Sequence, residues 1–268
     1  MTALPETKSI DLEVSEGWLT IWFNQPERRN PLTDEVVAEL SNVLSAVANN
    51  RDIRGITLRG RGGVFCAGGD LKAFSTMATG PRDETLAMSD QIGRLLAALN
   101  NTPQVTVALV EGAAIAGGLG MACCCDVTIG TTDSRFAFSE TRIGITPAQI
   151  ARYVLQKCGY SNGRRLMLTA AKFKGGRAAQ LGILDEVVDS VAALEDAERA
   201  IRREVLSCAP EAVAQCKRLI SDIVGLDDAT AIAYASASFT DALQGPEGAE
   251  GVASFLEKRQ PVWHVEVN

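Results

Sequence analysis

The chain has 268 residues, which is enough for one large domain or for one domain with a helical appendix. A hydrophobic fraction of 46% and a charged fraction of 22% are typical of a soluble globular protein. The net charge of -7 argues against nucleic acid as a main partner, because binding phosphates requires a basic surface.

Strands alternate with helices in the order of elements predicted for the first 190 residues, which indicates an α/β core. The predicted strands are a pair within residues 9–24, followed by 54–59, 105–110, 127–130, 135–138 and 183–188. The predicted helices begin near Thr33, Asp70, residue 86, Gly117 and Pro147, and two more cover 161–170 and 176–181. We expect the helix from Pro147 to stop at Gly159.

The pattern from Val191 onward is almost entirely helical. Pro210 is placed to start one helix, and Pro261 is placed to end the last. The sequence therefore predicts an α/β core over residues 1–195 and a C-terminal helical region over residues 196–268.

Several kinds of site are disfavoured by the residues themselves. The apolar stretch near 105–125 is interrupted by glycines and Glu111, so no membrane span is predicted, and no signal-peptide pattern is evident. We expect a cytoplasmic protein with reduced thiols, since its 7 cysteines are an odd number. The chain has a single histidine, His264, which disfavours Ser-His-Asp or Cys-His catalysis and histidine-ligated metal sites. Consecutive helical residues point about 100° apart, so Cys123, Cys124 and Cys125 are predicted to be packing residues, not metal ligands.

Two glycine-rich turns share one design, in which a strand leads through glycines into a helix. They are AGGD, at residues 67–70, and AGG, at residues 116–118. A helix N-terminus presents unpaired N–H groups, and glycine permits close approach of a ligand. Two such donors aimed at one point would form an oxyanion hole; the alternative is that both are simply tight turns. No nucleotide-binding pattern of the P-loop or Rossmann type is present in a suitable place.

Five segments together resemble the crotonase (enoyl-CoA hydratase/isomerase) superfamily, and they extend over nearly the whole chain. They are NQPERRNPL (24–32), VFCAGGDL (64–71), VEGAAIAGGLGMACCCD (110–126), FSETRIGITP (138–147) and FLEKRQP (255–261). The resemblance implies a spiral of ββα units with a C-terminal helical oligomerisation region. It also implies a homo-trimer or a hexamer made of two trimers.

The resemblance implies an acyl-CoA thioester substrate, with coenzyme A as part of the substrate and no separate cofactor. The thioester carbonyl would lie between the N–H groups of Gly69 and Gly117. The positions implied to contact coenzyme A are Arg28, Ala67, Gly69, Asp70, Leu71, Lys72, Gly117 and Lys258. Asp70 is also a candidate helix cap, which is compatible with that role, whereas Arg28 and Lys258 are alternatively solvated surface charges.

Hydratases of this superfamily typically use two glutamates. The second matches Glu140, whose apolar sequence neighbours predict a raised pKa, but the first position is Gly120. The space left at Gly120 is expected to admit a larger acyl group or a second water. The segment from Ser139 to Ile150 resembles methylglutaconyl- and isohexenylglutaconyl-CoA hydratases, which are single-glutamate members. For a substrate with a distal carboxylate, Arg142 or Arg152 would supply a cation.

The sequence therefore favours hydration of a bulky or branched 2-enoyl-CoA, or the reverse reaction, with Glu140 as the catalytic side chain. The second hypothesis is that the protein is a Δ3,Δ2-enoyl-CoA isomerase, and the third is that it is an acyl-CoA decarboxylase. A different class is an inactive homologue that binds acyl-CoA or RNA. Residues 74–90 are expected to form part of the acyl pocket wall.

Overall fold

The structure is a computed structural model that describes residues 4–266. In chain order its strands are β1 Ile10–Ser15, β2 Trp18–Phe23, β3 Gly55–Gly60, β4 Val105–Val110, β5 Ala113–Ile115, β6 Val127–Thr131, β7 Arg135–Ala137, β8 Lys172–Lys174 and β9 Glu186–Val188. Its α-helices are α1 Asp34–Val47, α2 Leu71–Met77, α3 Arg82–Asn101, α4 Gly117–Cys124, α5 Ala151–Thr169, α6 Gly175–Gln180, α7 Val191–Leu206, α8 Pro210–Asp222, α9 Asp228–Gln244 and α10 Pro246–Glu257.

Two sheets form the centre of the fold. The larger has the order β1-β2-β3-β4-β6-β9, with β1 antiparallel to β2 and the later neighbours parallel. The smaller has the order β5-β7-β8. Single bridges between Leu32 and Gly69 and between Cys66 and Ala114 place the two glycine-rich segments beside the smaller sheet. Successive turns of the chain therefore pass from a strand of the larger sheet through a short second strand or bridge into a helix.

Hydrophobic clusters cover both faces of the larger sheet. Strand β3 is buried along its whole length, as expected for a parallel strand covered on both faces. The main cluster joins the sheet to α1, α3, α4 and α5, whereas a smaller one joins Trp18, Val107 and Ile129 to Leu194 of α7. The predicted α/β core is confirmed.

Some predicted boundaries are wrong. Strands β5 and β8 were not predicted, and only Glu186–Val188 of the strand predicted at 183–188 is extended. The helix predicted from residue 86 begins at Arg82. After Pro147 the chain first forms a 3-10 turn, so α5 begins at Ala151; Gly159, with φ of +76°, breaks that helix without ending it.

The C-terminal helices differ in what they pack against. Helix α7 packs on the larger sheet through Leu194 and Ala197, whereas α8, α9 and α10 pack mainly in sequence on one another. The division at residues 195 and 196 falls within α7 and stays a prediction. No helix in residues 4–266 is long and apolar enough to cross a membrane.

Candidate active site

A cavity of about 880 Å³ opens where the two glycine turns meet α1, α2, α3 and the segment 140–150. Its wall is mostly apolar. The apolar lining residues include Leu32, Val37, Leu71, Phe74, Met77, Met88, Ile92, Ile143, Ile145 and Ile150. An apolar cleft with a few convergent polar groups is typical of a small-molecule site.

The first glycine turn lies against the second. Gly68 has φ of +97°, and a Cβ there would lie 2.9 Å from the carbonyl oxygen of Ile115, so only glycine fits. The carbonyl of Gly68 accepts a hydrogen bond from the N–H of Leu32 at 2.8 Å. Next along the chain, Gly69 lines the cavity, and the ring of Phe74 lies over it.

The second glycine turn contains an unusual backbone conformation. Ala116 has φ of +50° and ψ of -121°, a region that residues with a Cβ rarely adopt and that costs about 1–3 kcal/mol. This conformation leads directly into Gly117, the first residue of α4. Ala116, Gly117 and Gly69 all line the cavity. Within residues 4–266, the N–H groups of Gly69 and Gly117 donate to no protein acceptor, so both are available to a ligand.

Glu140 is the one buried acid among the described residues that line the cavity. It follows β7 and opens a 3-10 helix. Only 8% of the residue is exposed, and its Oε2 has no hydrogen-bond partner. Burial raises the pKa of the carboxyl group above its usual value, although a backbone hydrogen bond opposes the shift. A buried carboxyl group with one unpartnered oxygen and a raised pKa is suited to proton transfer.

The other acids of the cavity are different in kind. Asp34 and Glu35 are exposed at the start of α1, and Glu35 accepts a hydrogen bond from Ser9 Oγ. Asp70 pairs with Arg28, with 2.7 Å between Arg28 Nη2 and Asp70 Oδ2. The hydrogen bond from Arg28 helps to hold the pKa of Asp70 below its usual value, against the opposing effect of burial.

Gly120 does not leave open space, so that expectation is wrong. A Cβ at Gly120 would lie closer than 3.0 Å to both Cβ and Cγ2 of Ile150. Ile150 is buried and lines the cavity, whereas Gly120 does not. The region next to Gly120 is thus filled by an aliphatic side chain.

The residues expected to contact coenzyme A separate into two groups. Arg28, Gly69, Asp70, Leu71 and Gly117 line the cavity. Ala67, Lys72 and Lys258 do not: the N–H of Ala67 donates to the carbonyl of Arg29, the N–H of Lys72 donates to Asp70, and Lys258 caps α10. Asp70 is the N-cap of α2, as predicted.

Neither arginine expected to face the acyl group does so. Arg142 donates to the carbonyl of Ala170, and the Arg152 guanidinium lies 5.9 Å from the ring centre of Tyr153. Arg28 is the only cation among the described lining residues. The cavity wall therefore offers little to a distal carboxylate.

Comparison with known proteins decides the family. The model of the family described as enoyl-CoA hydratase/isomerase matches residues 13–266. The chain belongs to the enoyl-CoA hydratase/isomerase family. The resemblance to the crotonase superfamily is thereby confirmed, and the chain is an enzyme of the enoyl-CoA hydratase class.

Solved structures of similar chains confirm the fold. AtuE of Pseudomonas aeruginosa is 39% identical with a TM-score of 0.92, covering 96% of this chain and 99% of that one. An enoyl-CoA hydratase/isomerase from Marinobacter aquaeolei is 35% identical with a TM-score of 0.91, covering 95% and 98%. The human mitochondrial methylglutaconyl-CoA hydratase is 26% identical, covering 93% of this chain and 74% of its own length.

The sequence alone did not reveal the aliphatic side chain that fills the space beside Gly120. Ile150 lies 30 positions from Gly120, and no local pattern signals that contact. The expected wall from residues 74–90 is confirmed in part, since Phe74, Met77, Thr85, Met88 and Ser89 line the cavity.

The cysteines lie in the core, as predicted for packing residues. Cys123, Cys124 and Cys125 are all buried, and burial raises the pKa of the Cys125 thiol to about 12. Among the residues that the structure describes, no group of three or more His, Cys, Asp or Glu side chains is placed to hold a metal.

Proposed function

We propose that the enzyme hydrates a 2-enoyl-CoA thioester whose acyl group is apolar and bulky or branched. Glu140 is the single side-chain acid and base. The observation that carries this proposal is the buried Glu140 carboxyl group, whose Oε2 has no hydrogen-bond partner, in an apolar cavity beside two free backbone donors.

The ionised Glu140 would take a proton from a water molecule while the water oxygen forms a bond to C3 of the acyl group. The electron pair of the C2–C3 double bond then moves toward the thioester, and negative charge develops on its oxygen. Protonated Glu140 would next return the proton to C2, which restores the thioester. The balance is the addition of one water, and Glu140 ends in its starting state.

The N–H groups of Gly69 and Gly117 would stabilise the developing negative charge on the thioester oxygen. Their freedom from protein acceptors and their position on the cavity wall support this role. A preorganised donor of this type contributes roughly 3–4 kcal/mol to the transition state in favourable cases. The strained Ala116 backbone is one means of directing the Gly117 N–H.

The lining supports an apolar substrate. The aliphatic, methionine and phenylalanine side chains that dominate the cavity match a hydrocarbon, and a cavity of about 880 Å³ has room for a bulky group and part of the pantetheine arm. An unpaired distal carboxylate would be costly in such surroundings. We therefore place glutaconyl-type acyl groups behind uncharged branched ones.

Isomerisation is the second candidate, and Ile150 is the observation that favours it. One base that moves a proton between two carbon atoms suffices for a Δ3,Δ2-enoyl-CoA isomerase. The aliphatic Ile150 side chain next to Gly120 cannot help Glu140 to hold a water molecule. Decarboxylation ranks third, since no cation other than the paired Arg28 lines the described cavity.

Incubation with a panel of 2-enoyl- and 3-enoyl-CoA esters, followed by mass spectrometry, separates these reactions. Hydration gives a product heavier by one water, isomerisation leaves the mass unchanged and moves the double bond, and decarboxylation removes carbon dioxide. A turnover confined to double-bond migration would overturn the hydratase proposal and establish the isomerase.

We also propose a homo-oligomer, a trimer or a pair of trimers. The exposed apolar side chains of the last three helices support it, and they include Ile220, Ile232, Phe239, Leu243, Phe255 and Leu256. In such an assembly Lys258 would reach the phosphates of coenzyme A bound to a neighbouring subunit. Light scattering after gel filtration measures the state, and a monomer at assay concentration would contradict the proposal.

A further inference from the structure

Asn30 is a buried polar residue with no part in the reaction described above. Only 2% of it is exposed, and its φ of +54° is a left-handed conformation that asparagine tolerates better than most residues. Its Oδ1 accepts a hydrogen bond from the N–H of Gln25 at 2.9 Å, and its Nδ2 donates to the carbonyls of Arg61 at 3.0 Å and Val64 at 2.6 Å. One amide thus joins the loop of residues 25–32 to the segment that leads into the first glycine turn.

The loop 25–32 holds the peptide unit that carries the first N–H donor. The N–H of Leu32 donates to the carbonyl of Gly68 at 2.8 Å. That carbonyl and the N–H of Gly69 belong to one planar trans peptide unit, so they point in opposite directions. Because the loop holds the carbonyl, it also sets the direction of the Gly69 N–H.

Two features explain why the peptide unit between Gly68 and Gly69 needs this hydrogen bond to keep its orientation. Gly68 has φ of +97°, and two adjacent glycines place no side-chain barrier on rotation of the peptide unit between them. The N–H also has no protein acceptor to retain it in the absence of substrate. The hydrogen bond from Leu32 is therefore the contact that opposes rotation of the peptide unit.

We propose that Asn30 is a positioning residue for the oxyanion site: it fixes the loop 25–32, and the loop orients the Gly69 N–H through Leu32. Asn30 does not line the cavity, so its effect reaches the substrate only through the backbone segments that it joins. The inference rests on the proposed function, because that function assigns the Gly69 N–H to the thioester oxygen.

The test combines kinetics with the carbonyl stretching frequency of a bound saturated acyl-CoA, measured by Raman difference spectroscopy. Asn30→Gly keeps the left-handed backbone but removes all three hydrogen bonds. We expect kcat to fall on the order of ten- to a hundredfold, because the lost interaction strengthens in the transition state, whereas KM should rise by less than the roughly tenfold expected when Arg28 of the same loop is removed. The bound carbonyl frequency should shift back toward its value in solution.

Two further variants keep the test decisive. Asn30→Asp has the same size and keeps the acceptor for Gln25 but loses both donors; it should change kcat and frequency in the same direction, and it replaces Asn30→Gly if that variant does not fold. Asn24→Ala is the matched control, because the Asn24 side chain donates only to Asp11 Oδ1, at 2.9 Å, and leaves the loop intact. Its kcat and carbonyl frequency should equal those of the wild type.

The outcomes separate the two proposals. If the wild type shifts the carbonyl frequency on binding and the folded Asn30 variants shift it equally, the positioning role is wrong and the proposed function stands. If the wild type itself produces no shift, the oxyanion assignment fails, and the inference about Asn30 fails with it. A loss of kcat at unchanged carbonyl frequency would assign Asn30 a merely structural role.

Discussion

Replacing Gly120 by alanine should destabilise the enzyme, although the same change stabilises most helices. Alanine in a helix interior is favoured over glycine by up to about 1 kcal/mol. A Cβ at Gly120, however, would lie closer than 3.0 Å to both Cβ and Cγ2 of Ile150, a separation that real Cβ atoms essentially never show. Overpacking of this kind costs about 1–3 kcal/mol, and two overlapping atoms place the cost near the upper end. The net loss should be about 2 kcal/mol, the overpacking cost less the gain in helix propensity.

The overlap includes the Ile150 Cβ, so no side-chain rotation at that residue can relieve it. Ile150→Ala should rescue the Gly120→Ala change only in part, because alanine keeps the Cβ, whereas Ile150→Gly should rescue it fully. A double-mutant cycle with Ile150→Gly should therefore give a coupling energy of about 3 kcal/mol.

Urea unfolding at a fixed protein concentration measures these differences. The control is Gly176→Ala in α6, because no heavy atom lies within 4 Å of a Cβ placed there. That change should leave stability unchanged or raise it slightly. Two results would show that Ile150 does not fill the space beside Gly120. In the first, Gly120→Ala is as stable as the wild type. In the second, Gly120→Ala lowers stability by the same amount in the Ile150→Gly background as in the wild type.

Further predictions concern Glu140, Arg28 and Thr33. Because burial raises the pKa of Glu140 and the base must be ionised, kcat/KM should fall toward acid with a midpoint above that of an ordinary glutamic acid, and Glu140→Asp should move this limb. Because the pKa of Glu140 is raised in the folded state, the stabilising contribution of the protonated group is lost as pH rises through that pKa. At neutral pH, Glu140→Gln should therefore unfold at a higher urea concentration than the wild type. This difference should shrink in acid, where the glutamic acid is protonated. Arg28→Ala should raise KM up to about tenfold with little change in kcat, since binding alone is weakened. Thr33→Ala removes the α1 cap, formed by the Val36 N–H and Thr33 Oγ1 at 3.2 Å, and should cost about 1 kcal/mol in urea unfolding.

The parts of the site that could be predicted are those that depend on residues close together in the sequence. Gly69 and Gly117 were predicted because each lies in a glycine-rich turn between a strand and a helix. In the first of these turns, the positive φ of Gly68 and its close approach to the Ile115 carbonyl exclude other residues. Glu140 lies between Phe138 and Ile143, and that apolar context predicted the pKa shift that burial produces. Family resemblance supplied the remaining roles.

The parts that escaped prediction depend on contacts distant in sequence. Ile150 meets Gly120 only because the turn before α5 packs on α4. Strand β5 consists of small residues and is extended because it pairs with β7 and bridges Cys66, neither of which a local pattern shows. Arg142 was expected at the acyl group, but its guanidinium is held by the carbonyl of Ala170.

The central claim is that Glu140 alone supplies the side-chain acid and base. Measuring kcat/KM of Glu140→Gln with the best 2-enoyl-CoA of the panel, together with the Kd of the saturated analogue, tests it most directly. We predict a fall in kcat/KM of about 10²–10⁴-fold at nearly unchanged Kd, because glutamine keeps the size of the side chain and cannot exchange the proton. Activity close to that of the wild type would contradict the account and would show that another group moves the proton.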